Sequence, residues 1–596
     1  MPAPRRARSG LGPPTTVLGV RRALIGFAIT IAALVMLAAP AGAHAVLVQT
    51  EPASGQVYPT APRVITLRFD ENVQVGLGGI RLFDSKSHRI ETGRPTQAGS
   101  AATVSVTLPK LADGTYVATW RVISGDGHPV QGAFTFSVGE VTSGATGAQA
   151  LANRLLTSQQ GSRIVGVLNG ALRFVEFAAT GIMLGGFVFV ALCWPSGRRS
   201  RAAVRLLQAA WVTAFVGAIA AVLIESSYTA GLGLSDSVKA SVVRDYVDTH
   251  VGHVMVIRIF VLLAVAVLGR GLLRRASLGA ARAVLGVVLG VGLLATFTFA
   301  GHARTGFQVP LAIVTDLAHL CAFSVWVGGL VVMVVAVLRP HDPTEVESAV
   351  PRFSNLALGA VVVLTGTGIY QGWRQVGSFG ALKSTTYGRL LLVKVAVVAV
   401  VIVVAALSRD VLRQHMLGDD EELSESAERR EPLPVGPGAA RADLDVEVRA
   451  DTVRRLRFTV GLEVGFLVVV LATTALLVNA APARTAVNAP FNTTLQSKGL
   501  TFEVLFVPAR TGPNEMHLTT LQSNGVLANV LGLEADLSNP AKGIAPIKVT
   551  LIKLGPGHYT SNGLALPFSG KWQLDIKALV TEIDEVAVTT TVPVRS

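Results

Sequence analysis

The sequence predicts a multi-domain membrane protein: an N-terminal all-β sandwich, an eight-helix transmembrane domain and a C-terminal all-β domain. Three observations carry this. Half of the 596 residues are apolar and only 15% are charged, with a mean hydropathy of +0.52, whereas soluble domains are roughly 25% charged. The apolar residues gather mid-chain in runs of about 20, the length that crosses a hydrocarbon core of roughly 30 Å. On both sides of those runs, short segments rich in Val, Thr and aromatics alternate with Gly, Pro and Asp turns, the pattern of strands.

Residues 1–43 read as a secretory signal. Arg5, Arg6, Arg8, Arg21 and Arg22 precede an apolar core from Ala23 to Ala39, and Ala41-Gly42-Ala43 supplies a small-x-small cleavage site. Cleavage after Ala43 would make His44 the first residue of the mature chain. Residues 44–140 form the first β domain, with strands expected at Val64–Phe69, Thr103–Leu108, Thr115–Trp120 and Ala133–Val138. Residues 141–162 are rich in Gly, Ala, Ser and Gln, a linker reaching about 25 Å as a flexible coil.

The membrane domain, 163–480, contains eight apolar runs near 164–194, 205–230, 252–269, 283–300, 310–338, 355–373, 389–408 and 456–480. Arg198, Arg199, Arg201 and Arg205 follow the first run, Arg270, Arg274, Arg275 and Arg282 the third, and Arg339 and Arg352 the fifth. Those ends are expected to face the cytoplasm, leaving both ends of the mature chain outside a plasma membrane. Residues 409–454, mixed in charge with a Pro/Gly stretch at Pro432–Gly438, are expected to be a disordered cytoplasmic loop. Residues 481–596 form the second extracytoplasmic β domain, with strands expected at Thr501–Val507, Ile547–Lys553, Trp572–Ala578 and Val586–Val592.

Composition also excludes. Lys plus Arg (52) exceeds Asp plus Glu (38) by 14, but the excess lies beside apolar runs, where membrane orientation requires it; no nucleic-acid partner is implied. Cys193 and Cys321 both lie inside apolar runs, so a disulfide framework and a Cys-rich zinc site are ruled out.

The first domain holds a metal constellation. A terminal His44 would offer its α-amine and ring Nδ1 to one cation, both available as neutral donors at little cost near neutral pH. Asp126 and His128, two apart on an extended chain, project to one face, and Gly125 and Gly127 clear room beside them. Three nitrogens and a carboxylate oxygen suit Cu(II). Zinc fits less well, and a frayed terminus beside an ordinary turn is the alternative that residue types leave open.

These residues carry a resemblance. His44-Ala45, Pro52, Gly55, Pro62, Leu67-Arg68-Phe69, Gly114-Thr115-Tyr116 and the run Asp126-Gly127-His128-Pro129-Val130-x-Gly132-x-Phe134-x-Phe136 resemble the copper resistance proteins in which a CopC domain is fused to a CopD membrane domain. The resemblance implies a β-sandwich binding Cu(II) through His44, Asp126 and His128. Some relatives carry a Met-rich Cu(I) site; this domain has neither Met nor Cys, so the resemblance does not extend to it.

Ionisable groups inside spans are costly and mark candidate pathways. His250 and His253 open the third run, His302 closes the fourth, and Glu225 lies about one turn below the end of the second. Asp316 and His319 share a face of the fifth, about 9 and 14 Å in from Pro310 at 1.5 Å per residue. The alternative pairs Asp316 and His319 with Arg258 or Lys394. Cys321 points off that face, and Met183 and Met255 read as packing residues. Asp316-Leu317-Ala318-His319-Leu320 followed by Trp326-Val327-Gly328-Gly329-Leu330 is similar to the CopD signature, which implies copper translocation.

In the last domain, Gly512-Pro513-Asn514-x-Met516-His517, Gly557-His558-Tyr559 and Gly570-Lys571-Trp572 resemble YtkA-like extracytoplasmic domains, and Met516, His517 and His558 could form a softer copper site. The sequence therefore points to a copper importer or handling protein, not an enzyme, with copper ion and the lipid bilayer as its partners. Any soft ligands lie deeper than the hard capture site, which leaves Cu(I) open within the membrane domain, although no residue pattern demonstrates a reduction. Sequestration or delivery without transport is the second reading; a copper redox enzyme is disfavoured because Asp126 would favour retention of Cu(II). A copper-enzyme or reductase partner is left open.

Overall fold

The computed structural model describes residues 45, 47–53, 57–69, 71–75, 79–125, 129–139, 151–152, 154–155, 162–274, 279–338, 343–428, 438–480, 482–488, 491–522 and 527–595. The signal segment, His44, Asp126 and His128 lie outside the described residues. The chain has the three-part fold class that its sequence predicts.

The N-terminal strands follow a period of two. One sheet runs β1 (Leu47–Glu51), β3 (Val64–Phe69), β8 (Ser100–Thr107), β7 (Thr96–Ala98). The other runs β2 (Val57–Tyr58), β10 (Pro129–Val138), β9 (Gly114–Ser124), β5 (Ile80–Asp84), β6 (Arg89–Ile90), with β4 (Val73–Gln74) also on β9. β3 buries Ile65, Leu67 and Phe69 and turns the intervening residues outward, as a strand with one wet face must. Phe69 meets Trp120 of the opposite sheet edge to face at 5.3 Å, closing the core. β9 departs from alternation: Thr115 to Ser124 are all buried. Leu151 and Ala152 cover Val117 on its second face, and the helical domain covers Arg121. Leu151 and Ala152, inside the segment expected to be a linker, are thus packed against the sandwich.

Among the described residues, eight helices are long and apolar enough to cross a membrane: Arg163–Leu192, Arg201–Ala230, His250–Gly271, Ala280–Phe299, Val309–Val337, Ser348–Val376, Thr386–Leu407 and Arg457–Asn479. An even number of crossings returns the chain to its starting side, so both β domains sit at one end of the bundle, called here the near end. In the far half, the first and fifth spans meet almost backbone to backbone. A Cβ on Gly185 would overlap the Ser324 carbonyl, and one on Gly328 would stand 2.6 Å from Gly185 Cα; small residues permit this approach.

Residues 409–428 and 438–454, within the segment expected to be disordered, are helical among the described residues. The helix holding the seventh span runs from Thr386 to Glu428, and the one holding the eighth starts at Gly438. The segment's composition is rich in helix-forming Arg, Glu, Leu and Ala, with Asp445/Arg449 and Asp451/Arg455 spaced four apart, a supporting arrangement on a helix.

The C-terminal domain packs one sheet, β11 (Phe491–Ser497), β12 (Leu500–Val507), β13 (Gly512–Gln522), β17 (His558–Leu566), β16 (Ile552–Gly555), on another, β15 (Ile544–Lys548), β14 (Gly532–Asn539), β18 (Gly570–Leu579), β19 (Glu585–Val594). Trp572, Phe502, Phe506, Met516 and Leu537 fill the space between. The expected strand Ile547–Lys553 is divided: β15 pairs with β14 and β16 with β17. Buried Val549 marks where the chain changes sheets.

Candidate metal centre

One acid gathers the chain on either side of the expected first-domain ligands. Glu71 Oε1 accepts from the Gly125 amide at 3.3 Å and from the Ser124 hydroxyl, whose oxygen accepts from the Ala45 amide at 3.3 Å. The residue that follows His44 and the residue that precedes Asp126 are therefore tied to the same carboxylate network.

The base of that loop rests on the helical domain, where a Cβ on Gly125 would stand 3.0 Å from Thr305 Cγ2. Two polar contacts fix the seating. Arg121 Nε donates to the Thr229 carbonyl at 2.6 Å and Nη2 to the Tyr228 carbonyl at 3.0 Å, capping the second span. The His250 amide, in the first turn of the third span, donates to Gln74 Oε1 at 3.0 Å. A cation at a helix C-terminus and an acceptor at an N-terminus each answer unsatisfied backbone groups and the local dipole. Burial brings the Arg121 guanidinium down to about 10, still protonated at neutral pH.

Beneath the loop lies a short helical turn, His302–Arg304, leading to Thr305. Buried Arg374 gathers this segment by its carbonyls: Nε donates to Phe307 O at 3.0 Å, Nη1 to His302 O at 3.1 Å, and Nη2 to Thr305 O. His250 is partly buried, and its Nε2 has no hydrogen-bond partner among the described residues; a buried orphan of this kind is uncommon and calls for a ligand or water. His253, one turn further, is exposed.

Deeper, Asp316 and His319 are set by side chains from two other spans. Thr298 Oγ1 donates to Asp316 Oδ2 at 2.7 Å, and Gln371 Nε2 to Oδ1 at 3.3 Å. His319 Nδ1 lies 2.8 Å from Thr367 Oγ1, which donates its hydrogen to the Val363 carbonyl at 2.6 Å. With that hydrogen committed, the threonine oxygen accepts from Nδ1–H, and the bare lone pair falls on His319 Nε2, the nitrogen a cation would use. Thr367, Gln371 and Arg374 recur at i, i+4 and i+7 on the sixth span, so one helical face touches His319, Asp316 and the His302 backbone.

Several expectations change. Glu225 is not gathered with these groups; it accepts from Arg173 Nη2 at 2.6 Å, because a buried carboxylate needs a countercharge. Arg258 is taken by Glu176, with Nη1 3.1 Å from Oε2 and both side chains 4% exposed, rather than by Asp316 or His319. Among the described residues no hydrogen-bonded ion pair joins Lys394 to Asp316. Met183 and Met255 are buried in apolar clusters as packing residues, and Cys321 is partly buried. Met516 lies in the C-terminal core, whereas His517 and His558 face each other with ring centres 6.0 Å apart. Adjacent strand residues point to opposite faces, so Met516 and His517 cannot share a site. Among the described residues no three His, Cys, Asp or Glu side chains converge as a ready-made metal cage.

Sequence reasoning missed Arg121, Arg173, Glu176, Thr367 and the role of Arg374. Two signals were available. Asn169, Arg173, Glu176 and Thr180 are spaced four, three and four apart, a polar stripe on an apolar helix. Arg374 sits at a span end where the charge rule disfavours arginine.

Comparison with known proteins agrees with this layout. The CopC domain family matches residues 47–139, the copper resistance protein D-like N-terminal domain family residues 164–309, and the copper resistance protein D family residues 347–477. The copper transport protein CutJ of Bacillus subtilis (strain 168) is 29% identical over 388 residues, 63% of this chain and 69% of CutJ. Copper resistance protein C of Xanthomonas campestris pv. juglandis is 33% identical over 122 residues, 19% of this chain and 94% of that protein. The crystal structure of CopC from Methylosinus trichosporium OB3b is 31% identical over 16% of this chain and 93% of that chain, with a TM-score of 0.15.

Proposed function

This chain belongs to the fused CopC–CopD copper resistance proteins, and from that premise we propose that it captures Cu(II) outside the cytoplasmic membrane and imports it. His44, Asp126 and His128 are the capture ligands. The ion is cargo: it leaves them for His250 and His302, with His253 at the rim, and descends to Asp316 and His319 Nε2. The observation that supports this most is the seating of the Gly125 loop base against Thr305, three residues from His302. Transfer between touching domains needs no diffusion. Transport requires sites that bind and then release, and single imidazoles in sequence meet that need better than a closed cage.

A second reading, extracytoplasmic buffering without passage, is favoured by one observation: the far half of the bundle is packed shut by Phe189, Trp326, Met333 and Phe353. Radioactive copper uptake into proteoliposomes separates the two. The His302→Ala/His319→Ala protein should bind copper at its surface yet fail to accumulate it in the lumen. Accumulation at the parent rate would remove the transport reading and leave buffering.

A further inference from the structure

We propose that His517 and His558 form a second metal site, on the outer face of the C-terminal domain, that takes a divalent first-row cation with copper(II) preferred. The assignment does not rest on the transport reading.

The sheet register creates the pair. His517 stands opposite Thr560 and His558 opposite Thr519 across β13 and β17, so the two imidazoles are diagonal neighbours on one face. Their ring centres are 6.0 Å apart, with planes perpendicular. A metal–nitrogen bond of about 2.0–2.1 Å plus about 1.1 Å from nitrogen to ring centre lets one ion bridge rings whose centres are up to about 6.4 Å apart. The observed separation falls within that reach.

A carboxylate stands behind one ring. Glu515 Oε1 is 3.1 Å from His517 Nε2; accepting the proton there would leave Nδ1 as the nitrogen with a bare lone pair, the kind of carboxylate support that orients metal-bound histidines. Glu515 lies at a register shift between Asn514 and Met516, and bulges of this kind re-aim a side chain. Glu503, opposite Thr519 on the same face, has its pKa raised by burial, so negative charge there gains from a nearby cation.

The donors are nitrogen and oxygen. With Met516 buried in the core the site loses the sulfur that would favour Cu(I), and for nitrogen donors copper(II) heads the divalent series. Two protein ligands leave the other positions to water, which suits exchange rather than storage.

The test uses the purified full chain in detergent carrying Asp126→Ala and His128→Ala, titrated with copper(II) and followed by equilibrium dialysis and EPR. Adding His517→Ala and His558→Ala should remove one equivalent of bound copper together with its nitrogen hyperfine component, whereas Met516→Leu should leave both in place. Glu515→Gln should weaken binding about 10- to 100-fold. Both rings are partly exposed, so thermal melting should match the parent. Copper content and hyperfine pattern unchanged by the double histidine substitution, or abolished by Met516→Leu, would overturn the assignment.

Discussion

The two halves of the helical bundle are held together by different forces. The near half is stitched by charge: Glu176 with Arg258, Glu225 with Arg173, and Arg374 with three loop carbonyls. The far half is held by close packing, with Phe189 against Phe353 at 5.2 Å and Gly185 against the Ser324 backbone; buried Glu463 is an acid within it. Polar groups in a membrane are expensive, so these charges of the near half are paired; under the proposed route this is the end that would receive the ion.

The largest effect should come from unpairing a near-half charge. Glu176→Ala leaves the Arg258 guanidinium buried without its acid, a loss of about 3–5 kcal/mol, visible as aggregation or a lowered midpoint in thermal unfolding. Glu176→Met with Arg258→Met should recover most of it. A single variant as stable as the parent would erase the electrostatic half of the comparison.

Next is the clamp between the first β domain and the bundle. Arg121→Ala removes charge-assisted bonds to two carbonyls, each contributing about 1.5–3 kcal/mol. Uptake should fall at least tenfold while copper(II) affinity stays unchanged, a split readable by pairing uptake with calorimetry. Equal loss of both would mean that Arg121 supports the capture domain itself.

Gly185→Ala probes the far half. Its methyl would overlap the Ser324 carbonyl, and overpacking of a tight interface costs about 1–3 kcal/mol; the unfolding midpoint should fall, whereas the same change at Gly359, which has open space around it, should not. Finest is Thr367→Val, which removes the acceptor for His319 Nδ1–H. Uptake should drop about tenfold, the lower end of the loss for an outer-sphere partner, and Thr367→Ser should restore it.

Much of the architecture was readable because length and period are one-dimensional properties. The spans follow from apolar run length, and Val64–Phe69 from its alternation. Charge identity was equally visible, but pairing was not. Glu225 reads as an intramembrane acid from sequence, while its partner Arg173 lies 52 residues earlier in the chain. Charged, apolar-poor sequence fits disorder and helix alike, which is why 409–428 and 438–454 read as a loop in the sequence and are helical in the structure. The opposed directions of Met516 and His517 were legible too, since neighbours on a strand point to opposite faces.

Thr367, Gln371 and Arg374 bind three different stations of the proposed route from a single helix. Turning or sliding the sixth span as a rigid rod would therefore retune all three at once, so that loosening the ion's upper perch and reshaping its lower one become the same mechanical event.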